Sequence, residues 1–182
     1  MFAHVVRGKV TGAGDGARRF DLWKSEPGWA SLTGGVTAAA ELIAVALFPS
    51  PADVPRGWGQ GLDEFSVFGT GDVAQSGDGV APEAGFVQMM LARVADRATL
   101  ERIEAELEEG FRRWRPDFLG GYRIWLPDGR VLALDYFSSE ADARAGENSE
   151  PPPEVAEKFP QWLAQLSDTE WFDLPDPWVA TA

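Results

Sequence analysis

The sequence predicts an α+β fold: two tandem β-α-β-β-α-β repeats of about 90 residues, packed sheet to sheet as one intramolecular α+β barrel. Two observations carry this. Strand-like and helix-like stretches recur in the same order in both halves. Landmarks also align: Phe2 falls opposite Phe86, Pro27-Gly28-Trp29 opposite Pro116-Asp117-Phe118, and Phe48-Pro49-Ser50-Pro51-Ala52-Asp53 opposite Phe137-Ser138-Ser139-Glu140-Ala141-Asp142. The offset is 84 at the first strand and 89 afterwards, so only the helical segment between them differs in length. A half of this order makes a four-stranded antiparallel sheet with both helices on one face, leaving the other face to be covered. Two such sheets face to face cover it, and the space between them is a natural ligand cavity.

The first repeat is expected over residues 1–68. Residues 2–10 alternate with β-branched positions and read as a strand. A Gly-rich turn, 11–16, leads to a short helix marked by Ala17, Phe20 and Trp23 and ended by Pro27-Gly28. Apolar runs at 29–35 and 41–48 form a hairpin, 49–58 a short helix or loop, and 65–68 a last strand. Residues 69–85, rich in Gly, Asp and Ala without periodicity, read as a linker.

The second repeat, 86–182, is clearer. Residues 86–94 form a strand, and Asp96 caps a helix whose Leu100, Ile103, Leu107, Phe111 and Trp114 fall at spacings of 3, 4, 4 and 3. Pro116 stops it. Strands at 120–126 and 131–137 flank Pro127-Asp128-Gly129, where Asp-Gly favours a tight hairpin. A helix begins at 141–145 and is interrupted by Pro151-Pro152-Pro153; a further helical stretch puts Val155, Phe159, Trp162 and Leu163 on one face. Residues 170–174 form the last strand, and Trp171-Phe172 and Trp178 seal the barrel or a subunit contact rather than stack on a ligand.

Composition narrows the function. An apolar content of 45%, with eight Trp and eleven Phe, is enough for a sizeable core. A net charge of −13, from 16 basic and 29 acidic residues, sets the surface against phosphate backbones, so no nucleic-acid partner is expected. No basic amphipathic stretch suggests a membrane, and the aliphatic run at 36–48 contains Glu41 and is short of the ~20 residues of a spanning helix. The N-terminus does not open like a signal peptide, and the absence of cysteine suits the cytoplasm. With one His and no Cys, no metal site is expected. Gly12-Ala13-Gly14-Asp15-Gly16-Ala17 formally fits a dinucleotide fingerprint, but the pattern is antiparallel and the matching loop, Ala95-Asp96-Arg97-Ala98, has no glycine. No cofactor is expected.

Several stretches resemble the dimeric α+β barrel superfamily of ferredoxin-like units, in particular its antibiotic-biosynthesis-monooxygenase branch. The strongest run from Asp117-Phe118-Leu119-Gly120-Gly121-Tyr122 through Gly129-Arg130-Val131-Leu132-Ala133-Leu134-Asp135-Tyr136-Phe137 to Ser138-Ser139-Glu140-Ala141-Asp142-Ala143. It is similar to that branch's second strand, hairpin, third strand and acidic start of the second helix. The opening Phe2-Ala3-His4-Val5-Val6-Arg7-Gly8-Lys9-Val10 resembles the first strand of the stress-responsive barrel branch, where a His in that place lines the cavity. The resemblance implies a cavity for small, often aromatic or polyketide-like molecules. Some members oxygenate them without metal or flavin, some cyclise them, some bind or degrade haem, and many have no known activity. The first half departs from the pattern, lacking the Asp-Gly hairpin and carrying Ala38, Ala39 and Ala40.

The candidate site follows. His4 is the only side chain whose unperturbed pKa suits proton transfer near neutrality. It shares a strand face with Phe2, Val6 and Gly8, and its counterpart is Gln88, beside Phe86, Met90 and Ala92. Matching polar residues on apolar faces suggest a cavity lining, although a lone His is more often structural. Asp135 interrupts an apolar strand and needs a partner. A two-residue turn places Tyr122 opposite it and Ile124 opposite Ala133; a turn one residue longer offers Arg123 instead. A structural pair is the more ordinary outcome. If His4 and Asp135 both face the gap between the sheets, they form an acid–base pair for enolising or cyclising a phenolic substrate, with Tyr122 as oxyanion donor. Gln88, Arg123 and Trp125 then line a ligand in the barrel interior. A monooxygenase or cyclase and a non-catalytic binding module, monomer or homodimer, are the two readings.

Overall fold

Aliphatic and β-branched residues along Phe2–Lys9 form strand β1. The computed structural model describes residues 1–55 and 66–182, with side chains for 1–55 and 71–182. Helix α1 (Ala13–Ser25) starts within the Gly-rich segment expected as a turn. A Cβ on Gly16 would stand 2.6 Å from Val36 and 2.9 Å from Trp178, so glycine lets the helix lie close against the sheet. Hairpin strands β2 (Ser31–Val36) and β3 (Glu41–Phe48) follow, then a 3₁₀ turn at Pro51–Asp53. Strand β4 (Ser66–Gly77) corrects the boundaries read from sequence. The strand expected at 65–68 runs on to Gly77, so the segment expected as a linker is strand over its first part. Phe65 and Trp58 lie outside the described residues.

The second half continues with β5 (Phe86–Val94), α2 (Arg97–Trp114), β6 (Phe118–Trp125) and β7 (Arg130–Phe137). After these come α3 (Glu140–Glu147), α4 (Pro153–Leu163), β8 (Leu166–Leu174) and β9 (Trp178–Thr181). Asp96 caps α2 as expected, its carboxylate accepting from Thr99 N at 2.7 Å. The β6–β7 hairpin corrects the two-residue turn: Leu126 N donates to Arg130 O and Gly129 sits at φ 82°, making a three-residue loop. Tyr122 therefore pairs with Leu134, not Asp135, and Ile124 with Leu132, not Ala133.

Both halves share one strand order: β4-β1-β3-β2 in the first and β8-β5-β7-β6 in the second. They are not two sheets meeting only through side chains. Strand β4 pairs with β1 up to Asp72 and then with β6 up to Gly77, joining the halves into one nine-stranded antiparallel sheet. On the other side β8 pairs with β5 and β9 with β2. Only Pro175-Asp176-Pro177 separate β8 from β9, and prolines cannot donate to a ladder, so the strand breaks there. The fourth strand of each half thus reaches across to the other half and closes the sheet into a barrel.

Alternation along the strands sorts side chains into two layers. Inside the barrel, Ala3, Val5, Val45 and Leu47 meet Val87, Met89, Leu134 and Tyr136 in one cluster. Outside the first half, Phe20 and Trp23 of α1 cover Val6, Leu42, Ala44 and Phe48. Outside the second half, α2 and α4 are held together by Ile103, Leu107 and Val155. No described helix is long and apolar enough to cross a membrane.

Candidate functional site

The helix-side face of the second half carries a polar row that the strand register fixes. Asp135 of β7 pairs with Gln88 of β5, and Gln88 with Asp173 of β8. Three adjacent strands therefore present carboxylate, amide and carboxylate side by side. Arg123 on β6 reaches diagonally into the row, its Nη1 donating to Asp135 Oδ1 at 2.7 Å and its Nε to Glu104 Oε1 of α2 at 2.9 Å. Trp162 Nε1 of α4 donates to the same Glu104 oxygen at 3.2 Å. Gln88 Nε2 donates to both Asp173 Oδ1 and Glu147 Oε1 at 3.2 Å. Arg144 of α3 pairs with Asp173 and Glu147 at the same end.

Above this row lies a cavity of about 740 Å³ between the sheet and helices α2 and α4. Side chains such as Gln88 and Arg123 keep polar atoms on this face, so it cannot close dry against a helix as the first half does. Aromatic rings form much of the wall. Phe111, Phe118 and Phe137 make an edge-to-face chain at centroid distances of 5.4 and 5.9 Å, while Phe159 and Trp162 stack at 5.5 Å. Trp171, 54% exposed, and Leu163 belong to the lining yet stay open to solvent, which places them at the mouth.

Electrostatics within the row are uneven. Burial pushes the Asp135 carboxyl above its usual range, with Arg123 pulling it back and Glu104 adding to the rise. Desolvation works against the Arg123 guanidinium, but Asp135 and Glu104 outweigh it and its pKa is raised.

The six residues singled out from sequence divide evenly. Gln88, Arg123 and Asp135 line the cavity. His4, Tyr122 and Trp125 do not. His4 is buried on the helix side of the first half, paired with Ala46 of that half's outer cluster. The expected His4–Asp135 pair in the gap between sheets is therefore not formed, because both side chains point outward, in different halves. Tyr122 is in the barrel interior, its hydroxyl accepting from Val80 N at 3.0 Å. Trp125 packs with Leu100 and Val131 beneath Arg97, whose guanidinium is 4.4 Å from the ring centroid. The barrel interior expected to hold a ligand is filled by side chains from both halves. Of the alternatives weighed for Asp135, the longer turn and the Arg123 pair are what the chain adopts.

Sequence reasoning missed Phe111, Trp162 and Trp171 as lining residues. Phe111 and Trp162 sat on amphipathic stripes, which signal burial without saying against what. Glu104 lies in an acidic stretch of α2, yet its side chain is only 23% exposed and anchors Arg123. Among the described residues no group of His, Asp and Glu could hold a metal ion.

Neither a family model nor a curated protein sequence matches this chain. Solved structures do. An anthrone oxidase-like protein superposes over 100% of this chain and 93% of its own, with a TM-score of 0.70 at 12% identity. A Lactobacillus acidophilus protein provisionally named a monooxygenase matches over 99% and 96%, with a TM-score of 0.69 at 8% identity. A haem-degrading enzyme of Listeria monocytogenes matches over 96% and 100%, with a TM-score of 0.57 at 10% identity. The chain shares their fold along its whole length.

Proposed function

We propose that the chain binds a small, planar, largely apolar molecule in the cavity above the polar row and acts on it as a cofactor-independent monooxygenase or cyclase. The observation that carries this is the cavity itself: about 740 Å³, walled by aromatic rings and floored by a few convergent polar groups. The names of the fold neighbours, an anthrone oxidase-like protein among them, support the reaction class. Both halves of the barrel lie within one chain, so a monomer suffices for the site, and the lack of cysteine favours a cytoplasmic setting.

In this reading Asp135, not His4, is the proton acceptor. Its carboxyl lines the cavity and its raised pKa brings it closer to the range useful for base catalysis. It would take a proton from a phenol or an activated methylene. The electron-rich carbon left behind adds dioxygen, and loss of water turns the CH₂ into C=O. Oxygen uptake with a panel of anthrones and naphthols tests this. Asp135→Asn is expected to lower turnover ~10²–10⁴-fold, with the fold retained by circular dichroism. Turnover unchanged in the variant sinks the assignment.

A second reading is favoured by one specific observation: Asp135, Asp173 and Glu147 are each tied to an arginine. Such commitments suit a binding module without chemistry. Tight binding of an aromatic probe with no oxygen uptake by any substrate would select it.

A further inference from the structure

The cavity's charge pattern narrows what it would take, an inference that rests on the cavity being the ligand site. Six carboxylates and four guanidiniums line it. Every one of those guanidiniums is already engaged. Arg123 serves Glu104 and Asp135, and Arg144 serves Asp173, Glu147 and Glu140. Arg115 serves Asp117 and the Ala143 carbonyl, and Arg112 serves Asp78 and Glu108. An incoming carboxylate, sulfonate or phosphate would lose its hydration and find only donors that must first be taken from another acid. It would also enter against a surface of net charge −13.

A cation meets the opposite situation. Asp135 uses Oδ1 for Arg123, while its Oδ2 accepts no hydrogen bond among the described residues. Asp173 stands two strands away in the same row, with Gln88 between them. Around that row are the faces and edges of Phe111, Phe118, Phe137, Trp162 and Trp171, the surroundings in which a desolvated organic cation is attracted by ring quadrupoles. We infer that the cavity takes a flat aromatic molecule bearing a basic nitrogen, with the nitrogen over the Asp135–Gln88–Asp173 row and the ring system against the aromatic wall.

The test compares three fluorescent probes of similar size: proflavine as cation, N-phenyl-1-naphthylamine as neutral molecule and 1-anilinonaphthalene-8-sulfonate as anion. Titrations run in 0.3 M salt, where attraction to distant surface charge is screened. Proflavine is expected to bind at least tenfold more tightly than the sulfonate. Asp135→Asn should weaken proflavine about tenfold and leave the neutral probe unchanged, with Asp173→Asn as the second variant should the first fail to fold. Glu109→Gln, on an exposed residue outside the lining, should change nothing. Ala105→Trp, which fills the cavity from α2, should abolish all binding.

Equal affinity for cation and anion overturns the charge inference alone, provided the neutral probe binds and Ala105→Trp removes it. So does an equal loss in Glu109→Gln and Asp135→Asn, since the attraction would then be general. Failure of every probe to bind, or binding that survives Ala105→Trp, overturns the cavity as ligand site and the inference with it.

Discussion

Arg123 stands between Glu104 and Asp135 with its side chain 15% exposed, and each of the two acids is 23% exposed. Three partly desolvated charges in contact are stabilising only while the set is complete. Arg123→Met keeps the stem and removes the charge, leaving two carboxylates facing each other. Urea melts should show a loss of about 2–4 kcal/mol; a loss below about half a kcal/mol would mean the triad is solvated and contributes little. The sequence showed part of this. Asp135 is conspicuous as a carboxylate in an apolar strand, and Arg123 and Tyr122 were the two partners within reach. Which one serves depends on a single residue of loop length at Pro127-Asp128-Gly129, and Asp-Gly is compatible with both lengths. Glu104 was hidden because helical periodicity marks apolar stripes, and an acid beside the stripe looks the same whether it meets water or a guanidinium.

Helix α2 shows how far periodicity carries. Leu100, Ile103 and Leu107 of the stripe are buried as expected, but Phe111 and Trp114 continue it into the cavity wall. Leu107 packs with Ile103 and Val155 at the α2–α4 contact. Leu107→Ala should cost about 2–4 kcal/mol, and the exposed Glu108→Ala should stay within about half a kcal/mol. Equal shifts in denaturant midpoints would place the stripe elsewhere. At α3 the Phe-x-Ser motif shared by the halves has a local physical role. Ser139 Oγ accepts from Asp142 N, while Ser138 and Ser139 hydroxyls donate to Asp142 Oδ2. Those hydroxyl bonds hold the Asp142 carboxyl below its usual range. A depressed folded-state pKa contributes stability above the ordinary carboxylate pKa of about 4, and that stability is lost as pH falls through the lower folded value. Asp142→Asn should therefore flatten the acid limb of a pH–melting curve below about pH 4 and leave the neutral region's slope unchanged. An acid limb identical to the parent's would show that the cap does not titrate with folding. In the matching corner of the first half the Asp53 carboxylate accepts instead from the Ser50 backbone N at 3.0 Å, and only a 3₁₀ turn follows.

At the scale of the molecule, the repeat and the strand order were legible because alternation and corner residues recur. The choice of layer was not. Period-2 alternation correctly grouped His4 with Val6, and Gln88 with Phe86, but it cannot say which strand face looks into the barrel and which toward the helices. That depends on how the fourth strands cross. The interior face proved to be the aliphatic one, and a buried polar contact across the halves is Thr33 Oγ1 to Tyr136 Oη at 2.6 Å. Burial pushes the Tyr136 hydroxyl's pKa upward, so it stays protonated and can donate. Because the two residues come from different halves, their coupling measures whether the halves close as described. Tyr136→Phe and Thr33→Val each leave one buried hydroxyl without its partner and should cost about 1–3 kcal/mol. The double variant removes both hydroxyls from a site that is otherwise apolar, and it should cost about 1–2 kcal/mol less than the sum of the singles. Additive losses within about 0.3 kcal/mol would mean that the two side chains do not meet. The filled barrel interior and the closed sheet would then need another explanation, since this bond joins residues of opposite halves across that interior.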